Sequence, residues 1–464
     1  MTPIMTSFEP LGGEMTRADH RWLALILIIA AFIRLSFILV ADPAPNLSGG
    51  DVGWYLDKGR LLVSNKLNHP VQTGPTFLVY VGVVQNLISD PLVSMRALLS
   101  FWSPQPAPTL ASQSPTVTTL RLLNLLWHSI LIAAVYHLGK RYFSSGPARL
   151  AALVTAISPA FVIESSLPLT ESLFLALIFG ALAIYAQNQD RPQVRSLIGV
   201  GVLIGLATLT RVVTLLFPVV IVTHLVWLHG WRQGGRWALI LAAAFGLTLS
   251  TWTAYNLYRW NRFIIGGEGL TAFAWMGVTG VTDPYAIDSQ IGEAAHTEQR
   301  DQAFIEGFLG TLVNDLPGWI KTRLSNLFEA AVQPHNTVYF PGESLKSLAA
   351  EWLRTDRSVG GLIKLSEGDA FWPKLALYGF HLWAWGAGLL GLILPFRRTL
   401  RPRLPLYGFI IYILAVHTVI LAIPRYLFPI EPALYLFGAG FTAALWQRRR
   451  IVRPHEGIRL RGRQ

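Results

Sequence analysis

No cysteine occurs in the 464 residues. That absence excludes a disulfide framework, a thiolate nucleophile and any metal site built on sulfur. Charge is scarce too: Asp, Glu, Lys and Arg make 14% of the chain, whereas a soluble domain carries roughly 25%. Acids are the scarcer sign, 26 against 38 Lys and Arg, for a net charge of +12. A basic balance can signal nucleic acid. Here the cations cluster between and after apolar runs, and the chain has no nucleic-acid motif and no internal repeat. Topology and anionic lipid account for them better. What the chain has in abundance is apolar surface. It is 52% hydrophobic, with 16 Trp and 24 Phe, which fits an integral membrane protein with aromatic belts.

Ten apolar segments are candidate spans: 22–40, 121–139, 150–163, 167–186, 197–210, 212–228, 238–255, 375–396, 405–424 and 427–446. The fold class expected is an all-α multi-pass membrane protein of about ten helices, with juxtamembrane helices and a large outer loop. Arg17, Arg21 and the first apolar run imitate a signal peptide. At about 19 residues, with Arg34 inside, the run reads instead as a retained span. A charge there should face protein.

Basic clusters lie at 140–149, 191–195, 232–236, 397–403 and along the tail from Arg448 to Arg463. With a cytoplasmic N-terminus, all five fall on the cytoplasmic side, as the positive-inside rule requires. A single crossing at 74–89 would invert everything downstream. The stretch 74–102 therefore reads as re-entrant, interfacial or a hairpin crossing twice. Likewise 197–228 reads as two short helices meeting outside at Arg211. The outer side then owns 41–120 and 256–374. Within the second, Asp301–Leu312 and Pro317–Val332 read as helices. Ser103–Thr118 reads as loop. The domains expected are 1–256, an N-terminal membrane module with a catalytic first loop; 257–374, the large outer loop; and 375–464, C-terminal spans with a basic tail.

The polar residues at outer span ends carry the chemistry. After span one comes Asp42-Pro-Ala-Pro-Asn-Leu-Ser-Gly-Gly-Asp51-Val-Gly-Trp-Tyr55. Asp51 is either a helix cap or a surface acid. His69, Arg121, Glu164, Glu171, Arg211, Arg425 and Tyr426 follow on the same face. Glu171 also suits the first turn of a helix, where the dipole favours an acid, and the arginines suit interfacial anchors. Carboxylates facing cations fit transfer from a phosphate-linked donor. A carboxylate can deprotonate an incoming nucleophile, and arginine grips phosphate oxygens. His128 and His137 have no metal-ligand partners nearby in sequence.

The order of these features resembles the C-type glycosyltransferase superfamily. The nearest look is to the branch of protein O-mannosyltransferases and aminoarabinose–lipid A transferases. Asp51-Val-Gly-Trp-Tyr55, His69-Pro70 through Gly74-Pro75-Thr-Phe-Leu-Val-Tyr and Arg121-Leu-Leu-Asn carry the resemblance in the first part of the chain. Ile157-Ser-Pro-Ala-Phe161, Leu169-Thr-Glu171, Gly201 through Arg211, and Arg425-Tyr-Leu-Phe-Pro-Ile-Glu-Pro432 carry the rest. The resemblance implies inverting transfer of a sugar from a polyprenyl-phosphate donor to a lipid, glycan or protein acceptor, on the extracytoplasmic face of the inner membrane. It implies Asp51 as base or acceptor-orienting acid, and Glu171 or Glu164 as second acid. Arg425 and Arg211 would bind the donor phosphate, and Tyr55, His69 and Tyr426 would line the substrate site. The chain departs from the O-mannosyltransferase pattern in having Gly50-Asp51 where that family has Asp-Glu. It also ends in a basic tail where that family has a periplasmic domain, which favours lipid or glycan acceptors. No cofactor is fixed; Mg²⁺ or Mn²⁺ is the open possibility. The partners expected are donor, acceptor and membrane lipid, without nucleic acid. An O-antigen ligase or polymerase is the alternative enzyme, and a lipid-linked substrate transporter or flippase the alternative class.

Overall fold

The computed structural model describes residues 15–41, 50–71, 73–86, 114–267, 270–279 and 297–452. Among the described residues every regular element is a helix. Lipid demands this, because each backbone polar group must be satisfied within its own segment. The first helix, α1, is Arg17–Ala41; α2 is Gly50–Val63 and α3 covers 75–86. Then come α4 (Ser114–Tyr142), α5 (Ser145–Ile157), α6 (Pro159–Ser165), α7 (Thr170–Asn188), α8 (Val194–Thr210) and α9 (Pro218–Trp260). The segment 257–374 holds α10 (Leu270–Thr279), α11 (Thr297–Asn314), α12 (Leu316–Val332), α13 (Leu345–Thr355) and α14 (Val359–Ser366). The chain closes with α15 (Phe371–Ile393), α16 (Phe396–Val419), α17 (Pro424–Leu427) and α18 (Glu431–Val452).

Seven helices among the described residues are long and apolar enough to cross a membrane, eight with the bent pair α5–α6. Isolated apolar side chains such as Ile28, Phe32 and Leu39 lie exposed on α1, where lipid would cover them. The protein is therefore a membrane protein. The expected count of ten is not reached by length and composition. One reason is that α8 has only 17 residues. The other is that α9 counts once, although Gly230 breaks its path at φ 73°, ψ 168°. At 1.5 Å per residue an unbroken α9 would run about 65 Å, twice a bilayer core. The chain does leave helix at Arg211, between α8 and α9, as its sequence suggested.

The ambiguous stretch 74–102 is described only to residue 86. There α3 is described over 75–86; 87–102 lies outside the described residues. The expected loop 103–118 needs correction at its end. Residues 103–113 lie outside the described residues, and α4 already begins at Ser114. Pro115 fits the first turn of a helix, where its missing N–H is no loss. In the segment 257–374 α11 and α12 stand where helices were expected, and Asp315 caps α12 by accepting from the Gly318 N–H at 2.9 Å.

Arg34 has a structural explanation. Pro159 has no N–H to return to the Thr155 carbonyl, and α5 and α6 meet at a 54° bend. The buried Arg34 guanidinium donates to the carbonyls of Ala156 at 2.6 Å and Thr155 at 3.2 Å. An intramembrane cation thus satisfies the acceptors freed at a break. No carboxylate is needed.

The basic loops meet in one layer. Buried Asp19 binds Lys140 at 2.9 Å and Arg149 at 3.1 Å. Arg141 pairs with Asp190, and Gln189 donates to the Pro402 carbonyl at 3.1 Å. His229 meets the Gln189 carbonyl and His224 that of Arg401, each at 2.7 Å. Helix ends far apart in sequence are therefore tied together at one end of the bundle. The polar residues of the other end form the site.

Candidate active site

The loop between α6 and α7 is held from α4. Arg121 donates from Nε to the Ser166 carbonyl at 2.9 Å, and Asn124 donates to that of Leu167 at 2.8 Å. This pinning sets Glu171 in the first turn of α7, fully buried. An ionised carboxylate there needs cations and donors around it. Arg425, on α17, supplies a fork: Nε donates to Oε1 of Glu171, and Nη2 to Oε2 at 3.1 Å. Arg211 adds a bond from Nη1 to Oε1 at 2.5 Å, and the Thr170 hydroxyl donates to Oε2 at 3.1 Å. The third arm of Arg425, Nη1, reaches Oδ2 of Asp51 in the first turn of α2.

Two acids and two arginines thus form one cluster drawn from α2, α7, α17 and the α8–α9 break. Its formal charge sums to zero. Asp51 is its open edge, with a side chain 54% exposed, against 0% for Glu171. Arg425 has five N–H donors. Three serve the carboxylates, leaving two, one on each terminal nitrogen.

Aromatic rings build the walls. The Arg211 guanidinium lies 5.3 Å from the Tyr426 ring centroid and 5.8 Å from that of Phe174, within cation–π range. Tyr426 stacks on His417 at 5.2 Å. Tyr55 is buried edge-on against Phe77 at 5.0 Å. Burial pushes its phenol up to about 12, so it faces the cluster as a neutral hydroxyl.

Of the residues named from sequence, the structure brings Asp51, Glu171, Arg211, Arg425, Tyr426 and Tyr55 together. Glu164 is buried nearby with partners of its own. His335 Nε2 lies 2.9 Å from its Oε2, and Asn336 donates to the same oxygen at 3.3 Å. His69 is exposed in a turn, with Nδ1 2.8 Å from the Pro70 carbonyl oxygen. Arg121 acts through the loop it pins. Sequence reasoning missed His335, Asn336, Thr170 and His417. His335 lies in Gln333-Pro-His-Asn-Thr337, a turn-like stretch with no periodicity to mark it.

The place between Asp51 and Glu171 is held by a guanidinium. No group of three or more His, Asp or Glu among the described residues could hold a metal ion.

Residues 108–255 match the family model described as dolichyl-phosphate-mannose-protein mannosyltransferase. The match contains Glu164, Glu171 and Arg211; Asp51 and Arg425 lie outside it. Two structures of the oligosaccharyltransferase agree in architecture. The Archaeoglobus fulgidus oligosaccharyltransferase tethered to an acceptor peptide aligns with a TM-score of 0.52 at 14% identity, over 93% of this chain and 50% of that one. The same organism's oligosaccharyltransferase AglB, in complex with an inhibitory peptide and a dolichol-phosphate, aligns with a TM-score of 0.52 at 15% identity, over 97% and 53%. ArnT from Cupriavidus metallidurans aligns at 0.34 and 15% identity, over 91% and 78%. No curated protein matches. The chain spans about half the length of the oligosaccharyltransferase chains. The chain shares the fold of these oligosaccharyltransferase structures, an all-helical membrane fold as the order of features in the sequence implied.

Proposed function

We propose that this protein transfers a sugar from a polyprenyl-phosphate donor to a lipid, glycan or protein acceptor, with inversion at the anomeric carbon. The single observation carrying the proposal is the Arg425 fork, bound to Asp51 and Glu171 beside Arg211. Two guanidiniums held by a buried carboxylate make a preorganised phosphate site. The free N–H groups of Arg425 take the phosphate oxygens, and Arg211 balances the charge that grows on the leaving phosphate. Asp51, open to solvent, receives and orients the acceptor. Tyr55 and Tyr426 line the way in. The family-model match and the fold likeness to AglB, whose structure holds a dolichol-phosphate, support a lipid-phosphate donor.

In this reading both termini are cytoplasmic, and the cluster opens on the extracytoplasmic side of the inner membrane. The layer joining the basic loops at the opposite end supports it. The segment 1–256 carries most of the site, 257–374 is the large outer loop, and 375–464 returns Arg425 to the site.

The test is reconstitution in liposomes with a polyprenyl-phosphate sugar and an acceptor extract. Release of polyprenyl phosphate together with sugar transfer supports the proposal. Movement of intact donor across the bilayer with no bond broken makes the protein a transporter.

A further inference from the structure

Arg323, on α12, is a buried cation that the cluster around Arg425 does not use. Among the described residues it has no carboxylate partner. Its Nη1 donates instead to the Ile420 carbonyl at 3.1 Å. Ile420 stands just past the end of α16, where the last carbonyls of a helix lack donors of their own. A cation is favoured at that end by the helix dipole as well. Gly277 of α10 faces the same carbonyl so closely that a Cβ there would overlap its oxygen. Three elements far apart in sequence therefore meet at one backbone acceptor, a short step before Arg425.

The segment that follows carries Arg425 on little structure of its own. Helix α17 has four residues, too few to hold a position without outside contacts. Leu421 packs against Trp275 and Met276 of α10 and Phe304 of α11. Ala422 and Leu427 are buried with Ala330 of α12. From the bundle, His417 Nδ1 lies 3.0 Å from the Leu421 carbonyl oxygen, and its ring stacks on Tyr426. Phe273 of α10 meets Tyr426 edge-on at 5.9 Å. Apolar contacts have no preferred direction. The bond from Arg323 fixes a distance and an angle.

Resting on the transfer reaction proposed above, we infer that Arg323 is a positioning residue for the donor phosphate. It fixes the Ile420 carbonyl, and through it the placement of α17. Arg425 then meets Glu171 and Asp51 with its remaining N–H groups available to phosphate. The helices α10 and α12 thereby set the geometry of the phosphate site without supplying a member of the cluster. A simple cap on α16 would stabilise the fold and leave donor affinity alone.

The experiment titrates polyprenyl phosphate by tryptophan fluorescence on the purified protein, with Tm measured on each variant and donor kcat/KM taken from the liposome assay. Arg323→Met keeps side-chain length and removes the donors. Gly277→Ala keeps Arg323 and forces the Ile420 carbonyl aside. Both are expected to weaken polyprenyl-phosphate binding. Arg323→Met should also lower donor kcat/KM by about 10²-fold, the cost of a misplacement of about 1 Å. Arg323→Lys, which keeps a donor, should recover part of the loss. In the Arg425→Lys background the fork is already gone, so Arg323→Met should weaken binding little further, because the costs of coupled residues do not add. A folded Arg323→Met or Gly277→Ala with wild-type donor affinity overturns the inference. So do costs that multiply across the Arg323 and Arg425 variants, which make Arg323 a helix cap alone. Wild type that binds no polyprenyl phosphate overturns the transfer reading itself, and the inference with it.

Discussion

Asp51→Asn separates the chemistry of the cluster from its stability. The replacement keeps size and first-turn capping ability and removes only the charge. Asp51 is more than half exposed, so its pair with Arg425 contributes about 0–1 kcal/mol. The favourable placement of an acid near a helix N-terminus adds about 0.3–1 kcal/mol. Stability should therefore fall by no more than about 2 kcal/mol. Activity should fall further. A misplaced acceptor alone costs about 10²-fold, which is about 2.7 kcal/mol of transition-state stabilisation. The loss should sit in kcat. Arg425 keeps its two bonds to Glu171 in the variant, so the donor site survives and donor KM should change less than a few-fold. The assay is the rate of polyprenyl-phosphate release against donor concentration, with Tm and membrane insertion measured on the same preparation. Near-normal turnover in Asp51→Asn would refute the reasoning and return Asp51 to a helix-end role. A loss matched by a collapse of Tm would do the same.

Arg425→Ala should lose donor binding and destabilise the fold, since Glu171 keeps only Arg211; Arg425→Lys should restore charge but not the fork, recovering donor affinity in part. Unchanged donor affinity in Arg425→Ala would make it an interfacial anchor. Arg34→Ala leaves the Thr155 and Ala156 carbonyls without their donor and should lower stability by roughly 1–3 kcal/mol, seen as a lower Tm in detergent. Tyr55→Phe removes a neutral hydroxyl and no charge, so the pH–rate profile below pH 10 should keep its shape. The Cys-free chain allows clean sidedness tests: Gln302→Cys should label with impermeant thiol reagents only from outside, and Gln233→Cys only from the cytoplasm. Labelling of Gln302→Cys from the cytoplasm alone would overturn the topology.

The membrane class, the positions of the long helices and the acids and arginines of the cluster could be named from the sequence. Apolar runs, Pro and Gly breaks and charge placement are local properties, and lipid leaves a chain few alternatives to helix. The Arg-Tyr motif at 425 and the acid at 51 could be named, but not joined. They stand 374 residues apart, and no periodicity links α2 to α17. Only the packed bundle decides that one guanidinium bridges Asp51 and Glu171. The same holds for Arg34, which reads in sequence as a charge in need of an acid. In the fold it meets the carbonyls of Thr155 and Ala156 at the bend before Pro159. His335 shows the limit most clearly, because a histidine in a Pro-His-Asn turn carries no local mark. Its meaning comes from the Glu164 carboxylate, buried 171 residues earlier in the chain. Hydrophobic pattern specifies which segments enter the membrane. Which charges meet there depends on how those segments pack.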